Sequence, residues 1–228
     1  MPAGLLTNVV RRGTPSRLLL LLHGFGADQH DLAPVAPYLD PEERFLVVCP
    51  RGPHAAPPGA AWYPFGGTNP EAVRHSVDLL DDLLDQLCAD EGMRREEAVV
   101  AGFSQGGSMA LMLGLRASDR PRAAGVLCMS GFLADGRGVD MAWEAPGWGD
   151  GVGPDDLPPV LVQHGTLDPV VPVERGRTVT SDLTSRGLAV RHLEYPMEHQ
   201  LALESVRDAA HWLDVVVAGE RPSSPLPS

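Results

Sequence analysis

No segment of this 228-residue chain approaches the length of apolar sequence needed to span a bilayer. The one early apolar run, residues 18–22, follows basic residues but is too short for the core of a secretory signal. It also runs straight into "HGFG". Cysteine is scarce. Cys49, Cys88 and Cys128 are odd in number and lie far apart in apolar segments, so neither a disulfide framework nor a zinc ribbon is expected; reduced core thiols are. Positive charge is also short, with 18 Lys and Arg against 30 Asp and Glu. The resulting formal charge of −12 disfavours nucleic acid and anionic membrane surfaces, which would repel the chain. These absences point to a soluble, cytoplasmic protein with no stable membrane insertion and no nucleic-acid partner.

What is present is an alternation of short apolar runs and longer helical patterns. Strands are expected at 18–23, 45–50, 98–103, 124–130, 159–165 and 190–195, with a further edge strand at 5–10. Most are apolar throughout, as parallel strands covered on both faces must be. Between them, 69–90 opens with Asn69 as N-cap and Pro70 at the first helical position. Its Val73, Val77, Leu80, Leu84 and Leu87 fall on one face. Further helices are expected after Ser104, at 173–185 and at 200–217. The pattern predicts one α/β domain over 1–218 with a doubly wound sheet, and a disordered Pro/Ser-rich tail over 219–228. Two irregular segments, 51–68 and 131–159, follow strand ends, where open α/β sheets place ligands. Their Trp62, Tyr63, Phe65, Trp143 and Trp148 suggest a partly apolar pocket, or else a homodimer contact.

The chemistry centres on "VVAGFSQGGSMALML" (99–113). A shuffled chain of this composition would contain Gly-x-Ser-x-Gly roughly 0.14 times, so the motif alone carries little weight. Its context carries more. Ser104 follows an apolar strand and opens a helix, and Gly102, Gly106 and Gly107 permit a sharp, crowded turn. A serine hydroxyl needs a base held by an acid, and in such an elbow the order is Ser, acid, His, each after a strand. Of the downstream histidines, His164 precedes the acid candidate, His192 projects from a strand and His211 lies in the last helix. His199 in "YPMEHQL" has the right position. Asp168 in "HGTLDPVVP" is the preferred acid, with Glu194 its main rival. Oxyanion donors are expected from the N–H of Gln105 and from the N–H of Phe25 in "HGFG", with His23 shaping that loop through hydrogen bonds. A metal site is not expected. "DQHD" (28–31) has no second cluster of matching spacing, and Asp31 reads as a helix N-cap.

Together, "LHGFGAD", "AWYPF", "GFSQGGSMAL", "HGTLDPVVP" and "YPMEHQ" resemble the small α/β-hydrolases of the phospholipase/carboxylesterase family, over about residues 5–217. The resemblance implies a nearly lid-less α/β-hydrolase fold, no cofactor, and hydrolysis of short- to medium-chain acyl esters. The alternative substrates are the longer-chain thioesters and lysophospholipids. A dienelactone-hydrolase-like reading is weaker, because that relative carries cysteine at the place of Ser104. The resemblance also implies Ser104 as nucleophile, Asp168 as acid, His199 as base, Phe25 and Gln105 at the oxyanion positions, and Trp62 as a wall of the substrate cleft. The chain departs from the family just before the histidine, where Glu198 replaces the usual glycine. That side chain would crowd the turn delivering His199 or place a carboxylate beside the imidazole, favouring its charged form. A degenerate, purely binding domain is the remaining alternative.

Overall fold

A computed structural model describes residues 5–11, 13–64, 69–133, 138–145 and 153–219. The expected tail, apart from Gly219, lies outside the described residues, as do Phe65 and Trp148. The strands are β1 (Thr7–Val10), β2 (Arg17–Leu22), β3 (Phe45–Pro50), β4 (His54–Ala56), β5 (Gly59–Ala61), β6 (Ala98–Phe103), β7 (Gly125–Met129), β8 (Val160–Gly165) and β9 (Val190–Tyr195). Seven of them form one sheet in the order β1-β3-β2-β6-β7-β8-β9. Only β1, the edge strand, runs antiparallel to its neighbour in that sheet.

The inner strands of the sheet are largely apolar because successive side chains serve two cores. Leu18, Leu20 and Leu22 of β2 join one cluster, with helices α2 (Pro70–Glu91), α3 (Gln105–Leu115) and α4 (Val173–Ser185). Leu19 and Leu21 join the other, with α1 (Ala36–Leu39) and α5 (Leu203–Val217). The α/β-hydrolase architecture read from the sequence is thus the one observed. Helix α2 starts where expected: the Asn69 side chain accepts from Ala72 N–H at 3.1 Å, and Pro70 needs no donor. Such a cap contributes about 1 kcal/mol. It ends at Gly92 in the left-handed region (φ 66°). Helix α3 differs in kind, with all eleven of its residues buried.

Three features depart from the expectation. The segment 51–68 is not wholly irregular, because β4 and β5 form a separate hairpin around a cis Pro57–Pro58 bond. Helix α5 begins at Leu203 rather than at 200. Asp31 caps no helix; the 3-10 turn that follows starts at Ala33 with Leu32 before it.

The sheet also fixes where a ligand can sit. From β2 the chain passes to β3 on one side, and after α2 it returns to β6 on the other. The carboxyl ends of β2 and β6 therefore flank the switch point of the sheet.

Candidate active site

Ser104 stands between β6 and α3 with φ 55° and ψ −119°. That backbone costs a non-glycine residue about 1–3 kcal/mol and persists only where its surroundings impose it. The glycines impose it. A Cβ on Gly102 would lie 2.2 Å from the Gly106 carbonyl oxygen, and one on Gly106 would lie 2.1 Å from that of Leu22. A serine at a helix N-cap ordinarily turns its hydroxyl onto the helix amides. Ser104 makes no such cap bond. Its Oγ lies 2.9 Å from His199 Nε2 instead, leaving the first amides of α3 to another acceptor.

His199 Nδ1 is 2.6 Å from Asp168 Oδ2. A carboxylate only accepts, so Nδ1 carries the proton and Nε2 presents a lone pair to the Ser104 hydroxyl. The Asp168 Oδ1 accepts from the Val170 and Val171 N–H groups at 2.9 and 2.8 Å. Burial by itself would raise the pKa of this carboxyl. The hydrogen bonds from His199, Val171 and Val170 outweigh burial and hold it below the usual carboxylate value. The Phe103 ring lies 4.7 Å from that of His199 and packs the imidazole in place.

The loop after β2 lies against the elbow. A Cβ on Gly24 would be 3.5 Å from Ser104 Cβ, so the loop that carries Phe25 packs on the elbow at Gly24. His23 is buried and does shape this loop: Gly52 N–H donates to its Nε2 at 3.0 Å, and its Nδ1 donates to the Gly24 carbonyl at 2.7 Å. Burial lowers the His23 pKa, which keeps the ring neutral in this tautomer.

The tryptophans are placed otherwise than expected. Trp62 is wholly buried, its indole N–H donating to the His23 carbonyl at 2.9 Å, so it offers a substrate no wall. Trp143 lies under Arg186 at 4.7 Å, beyond the C-terminal end of α4, whereas Asp168 precedes the N-terminal end. Exposed apolar side chains lie instead on segments that follow strands β2, β8 and β9: Phe25, Leu167, Val170 and Leu203.

Two further residues were not selected from the sequence. His164, set aside on chain order, is fully buried beneath the acid. Its Nε2 donates to the Val171 carbonyl at 2.8 Å and lies 3.6 Å from Asp168 Oδ2. Gly165 lets the end of β8 pass the 197–198 backbone, since a Cβ there would lie 2.2 Å from the Met197 oxygen. Its place in "HGTLD" was the available signal. The rival acid Glu194 is taken up by Arg177 in a two-pronged ion pair at 2.7 Å. Glu198 is exposed, and His199 meets both partners in its presence, so the expected crowding does not occur. In "DQHD", Asp28 accepts from the His30 N–H and pairs with Arg51. Among the described residues no group of three or more His, Cys, Asp or Glu could hold a metal ion, and no helix is long and apolar enough to cross a membrane.

A model of the family described as phospholipase/carboxylesterase matches residues 8–217. An acyl-protein thioesterase 1 of Neurospora crassa is 29% identical over 223 residues, covering 89% of this chain and 86% of that protein. An acyl-protein thioesterase 1 of Gibberella zeae is 31% identical over 147 residues, covering 63% of this chain but only 57% of that protein. Among solved structures, esterase PE8 superposes with a TM-score of 0.74 at 26% identity, covering 93% of this chain and 98% of that one. A Bacillus cereus carboxylesterase, at 21% identity and a TM-score of 0.77 over 94% and 96% of the two chains, shares the fold.

Proposed function

The chain belongs to the phospholipase/carboxylesterase family and is a carboxylic ester hydrolase; on that premise we propose that it cleaves short- to medium-chain acyl esters through an acyl-enzyme on Ser104. The observation that carries the reading is the N-cap serine that caps nothing and faces His199 Nε2 at 2.9 Å. His199 takes the Ser104 proton as Oγ bonds the acyl carbon, then returns it to the departing alkoxide. Water repeats the step and releases the acid. Asp168 holds the imidazole tautomer and stabilises the imidazolium. The N–H groups of Phe25 and Gln105 receive the developing oxyanion; each such donor contributes about 3 kcal/mol to the transition state. No cofactor enters this scheme. Three buried, unpaired cysteines support a reducing, cytoplasmic setting.

The exposed apolar side chains after β2, β8 and β9 favour one alternative within the same chemistry, a thioester or lysophospholipid with a longer acyl chain. The names of the thioesterase relatives support it. A series of p-nitrophenyl esters from acetyl to palmitoyl separates the two. Each methylene the protein buries contributes about 0.8 kcal/mol, so kcat/KM should rise about fourfold per carbon until burial ends. A maximum near butyrate to octanoate supports the short-chain reading; a rise continuing to palmitate replaces it. The reaction itself is tested by fluorophosphonate labelling and by Ser104→Ala. The wild type should label and the variant should neither label nor turn over p-nitrophenyl butyrate. Wild-type activity in Ser104→Ala would refute the proposal.

A further inference from the structure

The two proposed oxyanion donors belong to different segments, Phe25 to the loop after β2 and Gln105 to the start of α3 after β6. Direct pairing between those strands ends at Leu22 and Gly102, before either donor. Beyond that point one segment, residues 60–63, which follows the β4–β5 hairpin turn, hydrogen-bonds to both the loop and Gln105. Ala60 bonds the C-terminal flank of Phe25 twice: its carbonyl accepts from the Gly26 N–H at 2.9 Å, and its N–H donates to the Ala27 carbonyl at 2.8 Å. Trp62 grips the other flank, its indole N–H on the His23 carbonyl at 2.9 Å. The same segment holds Gln105 by its side chain. The Gln105 Oε1 accepts from the Trp62 N–H, and its Nε2 donates to the Tyr63 carbonyl, both at 2.8 Å. The hydroxyl of Ser76 on α2 donates to the Trp62 carbonyl and anchors the segment from behind. Trp62, His23 and Gln105 are 0%, 1% and 5% exposed, so water does not compete for these bonds.

We infer that Trp62 and the Gln105 carboxamide are positioning residues that hold the two oxyanion donors at a fixed separation. This rests on the serine-hydrolase reading above. Trp62 thereby acts on the reaction through the loop backbone and touches no substrate. The arrangement matters because donors must sit within about 0.5 Å of the productive geometry to act on a developing charge.

Trp62→Phe deletes the indole donor, and Gln105→Met deletes both carboxamide bonds while leaving the backbone N–H of residue 105. The readouts are kcat and KM on p-nitrophenyl butyrate, thermal melting, and inhibition by a matched pair of ketones. An alkyl trifluoromethyl ketone forms a hemiketal oxyanion on the nucleophile; the corresponding methyl ketone occupies the same cleft largely without doing so. Deleting a donor outright costs about 10²–10³-fold in kcat, so displacing one should cost about tenfold. We expect kcat to fall about tenfold in each variant with KM within twofold. The trifluoromethyl ketone should weaken in step with kcat/KM, while the methyl ketone is unchanged. Equal weakening of both ketones, an unchanged kcat, or failure of both variants to fold would each overturn the positioning role. Ser104→Ala, run alongside, separates the two levels. If it stays active the hydrolase reading falls; if it is inactive while both variants keep their kcat, only the positioning role falls.

Discussion

Asp168→Asn is the most informative single change, because the structure dictates which way the new amide must face. Oδ1 receives two backbone donors, from Val170 and Val171, so the amide oxygen must stay there and the NH₂ must turn to His199 Nδ1. The imidazole then accepts at Nδ1 and carries its proton on Nε2, where Ser104 needs a lone pair. Flipping the amide would strand two backbone N–H groups, that of Val171 buried and that of Val170 part-buried, at about 1–3 kcal/mol each. A penalty of about 2–6 kcal/mol leaves about 3% or less of the population in the competent tautomer. The tautomer effect alone therefore lowers kcat at least about 30-fold, and loss of the negative charge beside the imidazolium adds to it. A fall approaching about 10⁴-fold matches what this substitution costs in a Ser-His-Asp triad. The assay is kcat for p-nitrophenyl butyrate at neutral pH, with the fold monitored by circular dichroism. A fall smaller than about 30-fold in a folded variant would refute the reasoning. Stability gives an independent check. The Asp168 pKa is depressed in the folded protein, so its contribution is present above the unfolded value near 3.9 and is lost as pH falls through the folded value. Urea midpoints of the wild type should therefore decline more steeply than those of Asp168→Asn below about pH 4.

Two other substitutions probe the delivery of the base. Gly165→Ala would drive a Cβ to 2.2 Å from the Met197 oxygen and 2.7 Å from that of Glu198. Overpacking of about 1–3 kcal/mol lowers the melting temperature by about 2–12 °C, and kcat should fall with it as the 197–199 backbone shifts; unchanged melting and kcat would contradict the close approach. Glu198→Gly should leave kcat/KM within twofold and the pH–rate profile in place, because an exposed carboxylate is screened by water and salt. Its measurable effect should be a loss of about 0.4–1 kcal/mol of stability from the freer unfolded chain; a displaced profile would show that the carboxylate does reach the imidazole.

The sheet was legible because burial on both faces makes the inner parallel strands apolar at most positions. That signal does not depend on which side chain serves which core, so β2, β3, β6 and β8 could be read to within a residue or two of their ends. The hairpin β4–β5 was not legible. Its strands are three residues each, rich in alanine and glycine, and have no alternation to detect. The meeting of Ser104, Asp168 and His199 could be read because the chemistry proposed for them restricts such groups to strand ends in a set order. His164 was rejected by the same rule, which describes the reacting groups and is silent about what lies beneath them. Trp62 and Trp143 were misread because a loop composition rich in tryptophan does not say which way the rings turn, and a buried indole with a carbonyl partner looks the same in sequence as a cleft wall. Glu198 departs from a family glycine without disturbing the turn because residue 198 has no positive φ and so does not require one.

The burial of α3 on every side has a practical consequence for redesign. Every residue of the helix that follows Ser104 is buried, so any substitution along it is a core substitution and draws on the packing against β2, β6 and β7. Leu167, Val170 and Leu203 stand in the opposite position, being exposed and tolerant of change at about ±0.5 kcal/mol. A library meant to alter acyl preference should vary these three and leave 105–115 untouched. The protein thus separates its fixed chemistry from its adjustable surface along the chain itself.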